Sequence, residues 1–216
     1  MFRLYPVVEC LSRWSDFWLP LPEWVGEIGA DPAAWGDFWG SGRGYVELGP
    51  VSTVTDVSRV VLELALSGKK KPVSSAVLAK KFPECLIGGL ALSDGDRTIF
   101  PGCCCDLNGW VEWKGLLDDP RRSPWLGHSP DAWIESNSDA MTCWADEFRD
   151  GVGRDATPSI TFSRAELEQA LGQVAEALDA FTKLLENVLH DNDIPEAAQI
   201  AVSFAAMMGL VPEGTP

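Results

Sequence analysis

Histidine is nearly missing from this chain. Only His128 and His190 occur in 216 residues, and no recognisable motif holds either. The common catalytic signatures are missing too: there is no G-x-S-x-G, no H-E-x-x-H, and no H-x-E with a P-C-x-x-C partner. The glycine-rich run Gly40-Ser41-Gly42-Arg43-Gly44 lacks the Lys-Ser/Thr of a phosphate loop, and the residues after it read as extended. No apolar run reaches 18 residues, which excludes an α-helical membrane span. The first residues carry no apolar core with a small-residue cleavage site, so no signal peptide is expected. Internal repeats and low-complexity tracts are also lacking.

Basic residues are scarce. Seventeen Lys and Arg face 32 Asp and Glu, for a net charge of −15, and residues 101–216 alone carry −13. A field of that sign repels nucleic acid and anionic membranes and attracts cationic partners, raising encounter rates. The one basic stretch, Lys69, Lys70, Lys71, Lys80 and Lys81, reads as a solvated face and not as a nucleic-acid site.

Six cysteines could form disulfides in a secreted protein, but Cys103, Cys104 and Cys105 are consecutive, and a chain of this length needs no staples. Reduced thiols in the cytoplasm are the expectation. Zinc sites draw on C-x₂₋₄-C pairs. Here Cys10, Cys85, Cys143 and His128 would have to converge on the triplet from scattered places, so no metal and no cofactor are expected.

Hydrophobic periodicity organises what remains. Trp14 and Trp18, then Trp35 and Trp39, stand four apart, which predicts two short helices around the elbow Leu19-Pro20-Leu21-Pro22. Val57, Val60, Val61 and Leu64 predict a helix over 55–67, and a shorter one fits 73–82. Strands are expected at 45–48 and 86–92, with Asp94-Gly95 turning the chain back through 97–100. A helix is expected over 107–117, and an antiparallel pair at 132–135 and 141–145.

The C-terminal part is the clearest. Ile160 to Phe162 is extended, and Ser163-Arg164-Ala165-Glu166 is a capping box. Leu167, Leu171, Val174, Leu178, Phe181, Leu185 and Val188 then alternate spacings of four and three. That period allows a dimerising coil. Ala170, Ala177 and Leu184 widen the stripe, however, and favour an intramolecular hairpin with a second helix over 194–208. The fold expected is α+β: one domain over 1–216, with a Trp-rich helical segment at 1–40, a mixed core at 41–162 and a helical hairpin at 163–216. A small antiparallel sheet drawn from 45–48, 86–100, 131–145 and 159–162 is covered by helices.

One acidic set falls on the hairpin expected at 131–145 and its exit: Asp131, Glu135, Asp139, Asp146, Glu147 and Asp150. These are the candidate partner-binding residues, a docking face for a basic protein. No catalytic residue is assigned. The stretches Ile99 to Leu117, Gly127 to Glu135 and Ile160 to Phe181 resemble uncharacterised bacterial proteins of actinobacterial type. Small acidic proteins of that kind often sit beside secreted toxins as immunity factors. The resemblance implies an immunity-type inhibitor that binds and occludes a basic toxin, and it carries over no site residue. Two other classes stay open: an enzyme with a cysteine or acidic site in 99–135, and a DNA-mimic inhibitor.

Overall fold

The computed structural model describes residues 1–10, 44–66, 73–102, 104–128, 132–137, 140–145 and 158–211. The two tryptophan helices expected in the first forty residues lie outside these, as do Ser67 to Lys71 and residues 151–157.

The fold is α+β, with mixed helices and two sheets where the sequence suggested one. Strands β1 (Arg3–Cys10), β2 (Gly44–Glu47), β3 (Gly88–Ser93) and β4 (Thr98–Ile99) form a sheet in the order β2-β1-β3-β4. Strands β5 (Trp133–Ser136), β6 (Ala140–Trp144) and β7 (Ser159–Ser163) form the second, in chain order and antiparallel throughout. The chain divides into two compact units, 1–7 with 87–176, and 8–86 with 177–216.

In the first unit, β3 returns through Asp94-Gly95 into β4, pairing Leu92 with Ile99. Asp94 Oδ1 accepts from the backbone N–H of Asp96 and of Arg97, and Gly95 supplies a φ of +101°. Both features suit a tight turn. The segment expected as an α-helix over 107–117 is a 3₁₀-helix over Leu107–Lys114 followed by a single α-turn, α3 (Gly115–Asp118). The reason is visible in the side chains. Leu107, Trp110, Trp113 and Leu116 recur every third residue and are all 2% exposed or less. Three residues per turn stack such a row on one line, which an α-helix would smear around its surface.

In the second unit, α1 (Val54–Leu66) buries Val57, Val60, Val61 and Leu64. Thr53 caps it, exchanging hydrogen bonds with the Asp56 carboxylate (2.8 Å) and backbone N–H (3.3 Å). The short helix α2 (Ser75–Lys80) starts at an accepting Ser74 and packs on α5 (Ala197–Met207).

Helix α4 (Arg164–Asp191) belongs to both units. Its 28 residues give a rod about 42 Å long. All seven residues of the periodic stripe, Leu167 through Val188, are buried within the single chain. Phe181 meets Phe204 of α5 at 5.5 Å between ring centroids, closing the expected C-terminal helix pair. α5 begins at Ala197, three residues after the expected start: the chain leaves α4 through Asp193 at a φ of +55°, and the Ala197 N–H donates to the Ile194 carbonyl in a turn that precedes the helix. No helix among the described residues is long and apolar enough to cross a membrane.

Candidate functional site

The hairpin expected to carry part of the acidic set is β5–β6. The register pairs Trp133 with Trp144, Glu135 with Thr142 and Ser136 with Met141. Asn137 closes the turn, its side-chain oxygen accepting from Ala140 N–H at 2.8 Å. Of the six acidic candidates only Glu135 lies among the described residues. It is exposed, on the middle of β5. Asp131, Asp139, Asp146, Glu147 and Asp150 lie outside them.

Alternation along the strands divides the two faces of this sheet. Met141, Cys143, Ile160 and Phe162 point inward and are buried, and Phe2 stacks on Phe162 with centroids 4.5 Å apart. The opposite face carries Trp133, Glu135, Thr142, Trp144 and Thr161. The two indoles lie 5.7 Å apart and within 14° of parallel, an offset-stacked arrangement. The hydroxyls of Thr142 and Thr161 are 3.0 Å apart. The tryptophan pair was not singled out from the sequence. Their meeting face to face follows from the hairpin register.

The 99–135 region, the alternative location for chemistry, is knitted tightly around its cysteines. Cys105 donates its thiol to the carbonyl of Trp125 at 3.2 Å, and the Trp125 indole N–H donates to the carbonyl of Cys104 at 3.2 Å. The Trp125 backbone N–H donates to Glu112 Oε2 at 3.1 Å, and His128 sits edge-on to the Trp125 ring. Cys104 takes a left-handed φ of +64°, uncommon for a residue with a side chain. Burial pushes the Cys105 thiol up to about 12, helped by the negative charges of Asp106 and Glu112. It stays protonated at neutral pH and is a structural donor, not a nucleophile. Burial alone pushes Cys143 up to about 12 as well, on the inward face of β6.

Cys10, at the end of β1, is raised by burial and then by the charge of Glu63. Cys103 lies outside the described residues. Among those described, no three His, Cys, Asp or Glu side chains gather in a group that could hold a metal ion.

The chain matches no protein-family model, no curated protein and no solved structure. Its function must therefore be argued from charge and surface.

Proposed function

We propose that this chain is a cytoplasmic binding protein that seats a basic protein partner, most specifically an immunity-type inhibitor that occludes the active site of a basic toxin. The observation that carries this reading is the net charge of −15, of which −13 falls on residues 101–216. Charge of that size raises the on-rate for a cationic partner and disfavours nucleic acid and anionic membranes as targets. At about 0.15 M salt the field is screened within roughly 8 Å, so it steers encounter and leaves retention to short-range contacts. The exposed Glu135 on the outer face of the second sheet is one such contact point. Burial of Cys105 argues against that one thiol as the nucleophile of the alternative reading in 99–135.

The test is a pulldown from the native cell at low and high salt, joined to an assay of the captured protein's activity. The expected result is a basic protein, the product of a neighbouring gene, that is released by salt and inhibited at one-to-one stoichiometry. A neighbouring gene that encodes no toxin, together with no basic protein retained at low salt, overturns the reading.

A further inference from the structure

A screened charge steers a partner without holding it, so a binding surface also needs an apolar anchor. Three segments of the first unit adjoin around Cys105. Ile87 bridges Asp106, the Gly88 N–H donates to the Cys105 carbonyl at 2.9 Å, and the Trp125 indole N–H donates to the Cys104 carbonyl at 3.2 Å. Leu86, Cys105 and Pro124 are buried, while their neighbours Ile87, Asp106 and Trp125 are exposed. Trp125 is 51% exposed and Ile87 38%.

That exposure of Trp125 is what remains with all its contacts made, His128 against its ring included. Its three hydrogen bonds use the backbone N–H, the carbonyl and the indole N–H, and leave half of the residue in solvent. Two of the three are backbone bonds that most residues would make, so closing this loop does not require a tryptophan. A large ring already held in one pose loses little freedom on docking. Tryptophan is also among the residues that dominate interface energies. Two exposed carboxylates lie alongside. Glu112 Oε2 accepts from the Trp125 N–H at 3.1 Å, and Asp106 is next to Cys105 with its side chain capping no helix N–H. The cations of the same stretch are engaged, Lys114 over the Trp110 ring and Arg121 with Asp119.

We propose that Trp125 anchors a partner-docking surface, taking an apolar side chain of a basic protein together with Ile87 while Asp106 and Glu112 draw the cationic residues beside it. The proposal rests on the binding reading above and supplies its short-range contact. A basic partner is specified over an acidic one because both free-standing charges at the ring are negative and the chain as a whole carries −15.

Indole N–H resonances of the full-length protein, followed by NMR at low and high salt, test this with three octapeptides. They alternate lysine with leucine, lysine with serine, and glutamate with leucine. The lysine–leucine peptide is expected to shift the Trp125 resonance and to bind about fivefold or more tightly than either of the others. Trp125→Ala is expected to weaken it about fivefold or more, as loss of an interface anchor does, with the other indole resonances of the unbound protein kept in place. Asp106→Asn, a mild change at an exposed side chain, serves as the second variant. It is expected to weaken the lysine–leucine peptide about twofold or more at low salt and less at high salt. Three outcomes overturn the proposal: a Trp125 resonance unmoved at saturating lysine–leucine peptide, Asp106→Asn binding as tightly as the natural protein at low salt, or the glutamate–leucine peptide binding as tightly as the lysine–leucine one. Each removes the anchor and leaves the basic-partner reading standing, because the salt-dependent pulldown tests that separately.

Discussion

Cys105 and Trp125 hold each other in place across twenty residues of chain. The thiol donates to the Trp125 carbonyl at 3.2 Å, and the Trp125 indole returns a hydrogen bond to the carbonyl of Cys104 at 3.2 Å. The pairing gives Trp125 a fixed pose although it is 51% exposed. It also divides two adjacent thiols by environment, Cys105 buried and Cys104 in contact with water.

Thiol reactivity follows from that division. Alkylation needs the thiolate, and burial holds Cys10, Cys105 and Cys143 protonated at neutral pH. In the native protein at pH 8, iodoacetamide is expected to label Cys104 well before those three, and denaturant should bring all four to similar rates. Peptide mapping by mass spectrometry reads the order. Early native labelling of Cys105 would mean that its bond to Trp125 does not persist in solution.

Gly89 in β3 is expected to tolerate no side chain. A Cβ there would lie 2.9 Å from the Cβ of Pro101 and 3.5 Å from the Cys105 sulfur. The proline ring has no flexible end to swing away, so the strand or the loop must shift. Gly89→Ala should lower stability by roughly 1–3 kcal/mol, the usual range for overpacking. Chemical denaturation measures it, and an unchanged midpoint would contradict the close approach.

Elements with strong local signals were legible in the sequence, and those set by distant contacts were not. The helix at 164–191 announces itself through a capping box and seven periodic apolar residues, and all seven are buried. The Asp94-Gly95 hairpin and the strands at 133–136 and 140–144 follow from turn chemistry and alternation. β1 escaped because Pro6 interrupts it. Proline donates no ladder hydrogen bond and normally argues against a central strand, yet β1 lies between β2 and β3. Its run of buried residues, Pro6 to Cys10, is the signal that outweighed the proline.

The 3₁₀-helix is a different kind of miss. A helix was expected there, but its buried residues Leu107, Trp110, Trp113 and Leu116 recur with a period of three and not 3.6. Eight residues of 3₁₀ exceed the usual run, so the α-helix was the natural expectation. Division of the strands between two sheets could not be read at all, because pairing partners are a long-range choice. For the candidate site, the β5–β6 hairpin was legible from alternation and turn residues. The tryptophan pair beside Glu135 needed the register.

The capping box makes stability depend on pH in a defined direction. Glu166 Oε2 accepts from the Ser163 N–H and hydroxyl, both at 2.8 Å, and these bonds hold its carboxyl below the usual value near 4.5. A carboxyl depressed by folding contributes stability above its unfolded value and loses it as pH falls through the lower folded one. Ser163→Ala should therefore cost roughly 0.5–2 kcal/mol at pH 7. The gap to the natural protein should narrow as pH drops below about 4.5, the usual value for glutamate. Melting temperatures across pH 3 to 7 check this, and a gap that widened in acid would reverse the assigned sign.

The apolar stripe of α4 decides between a core and an interface. Leu178 stands at its centre, is fully buried, and is followed three residues on by Phe181, which packs on Phe204. Were the stripe a dimer seam, a charge at 178 would split two chains and leave each folded. As core, the same charge is buried without a partner, which costs several kcal/mol. The leucine's own packing is lost as well, and large-to-small or polar changes at such sites rank among the most damaging. Leu178→Asp should thus destabilise the protein by roughly 3 kcal/mol or more and leave it largely unfolded at 37 °C. Circular dichroism and size-exclusion chromatography with light scattering measure the two quantities together. A variant that kept its melting temperature and only halved its mass would place the stripe between chains, against the burial that α4 finds within its own.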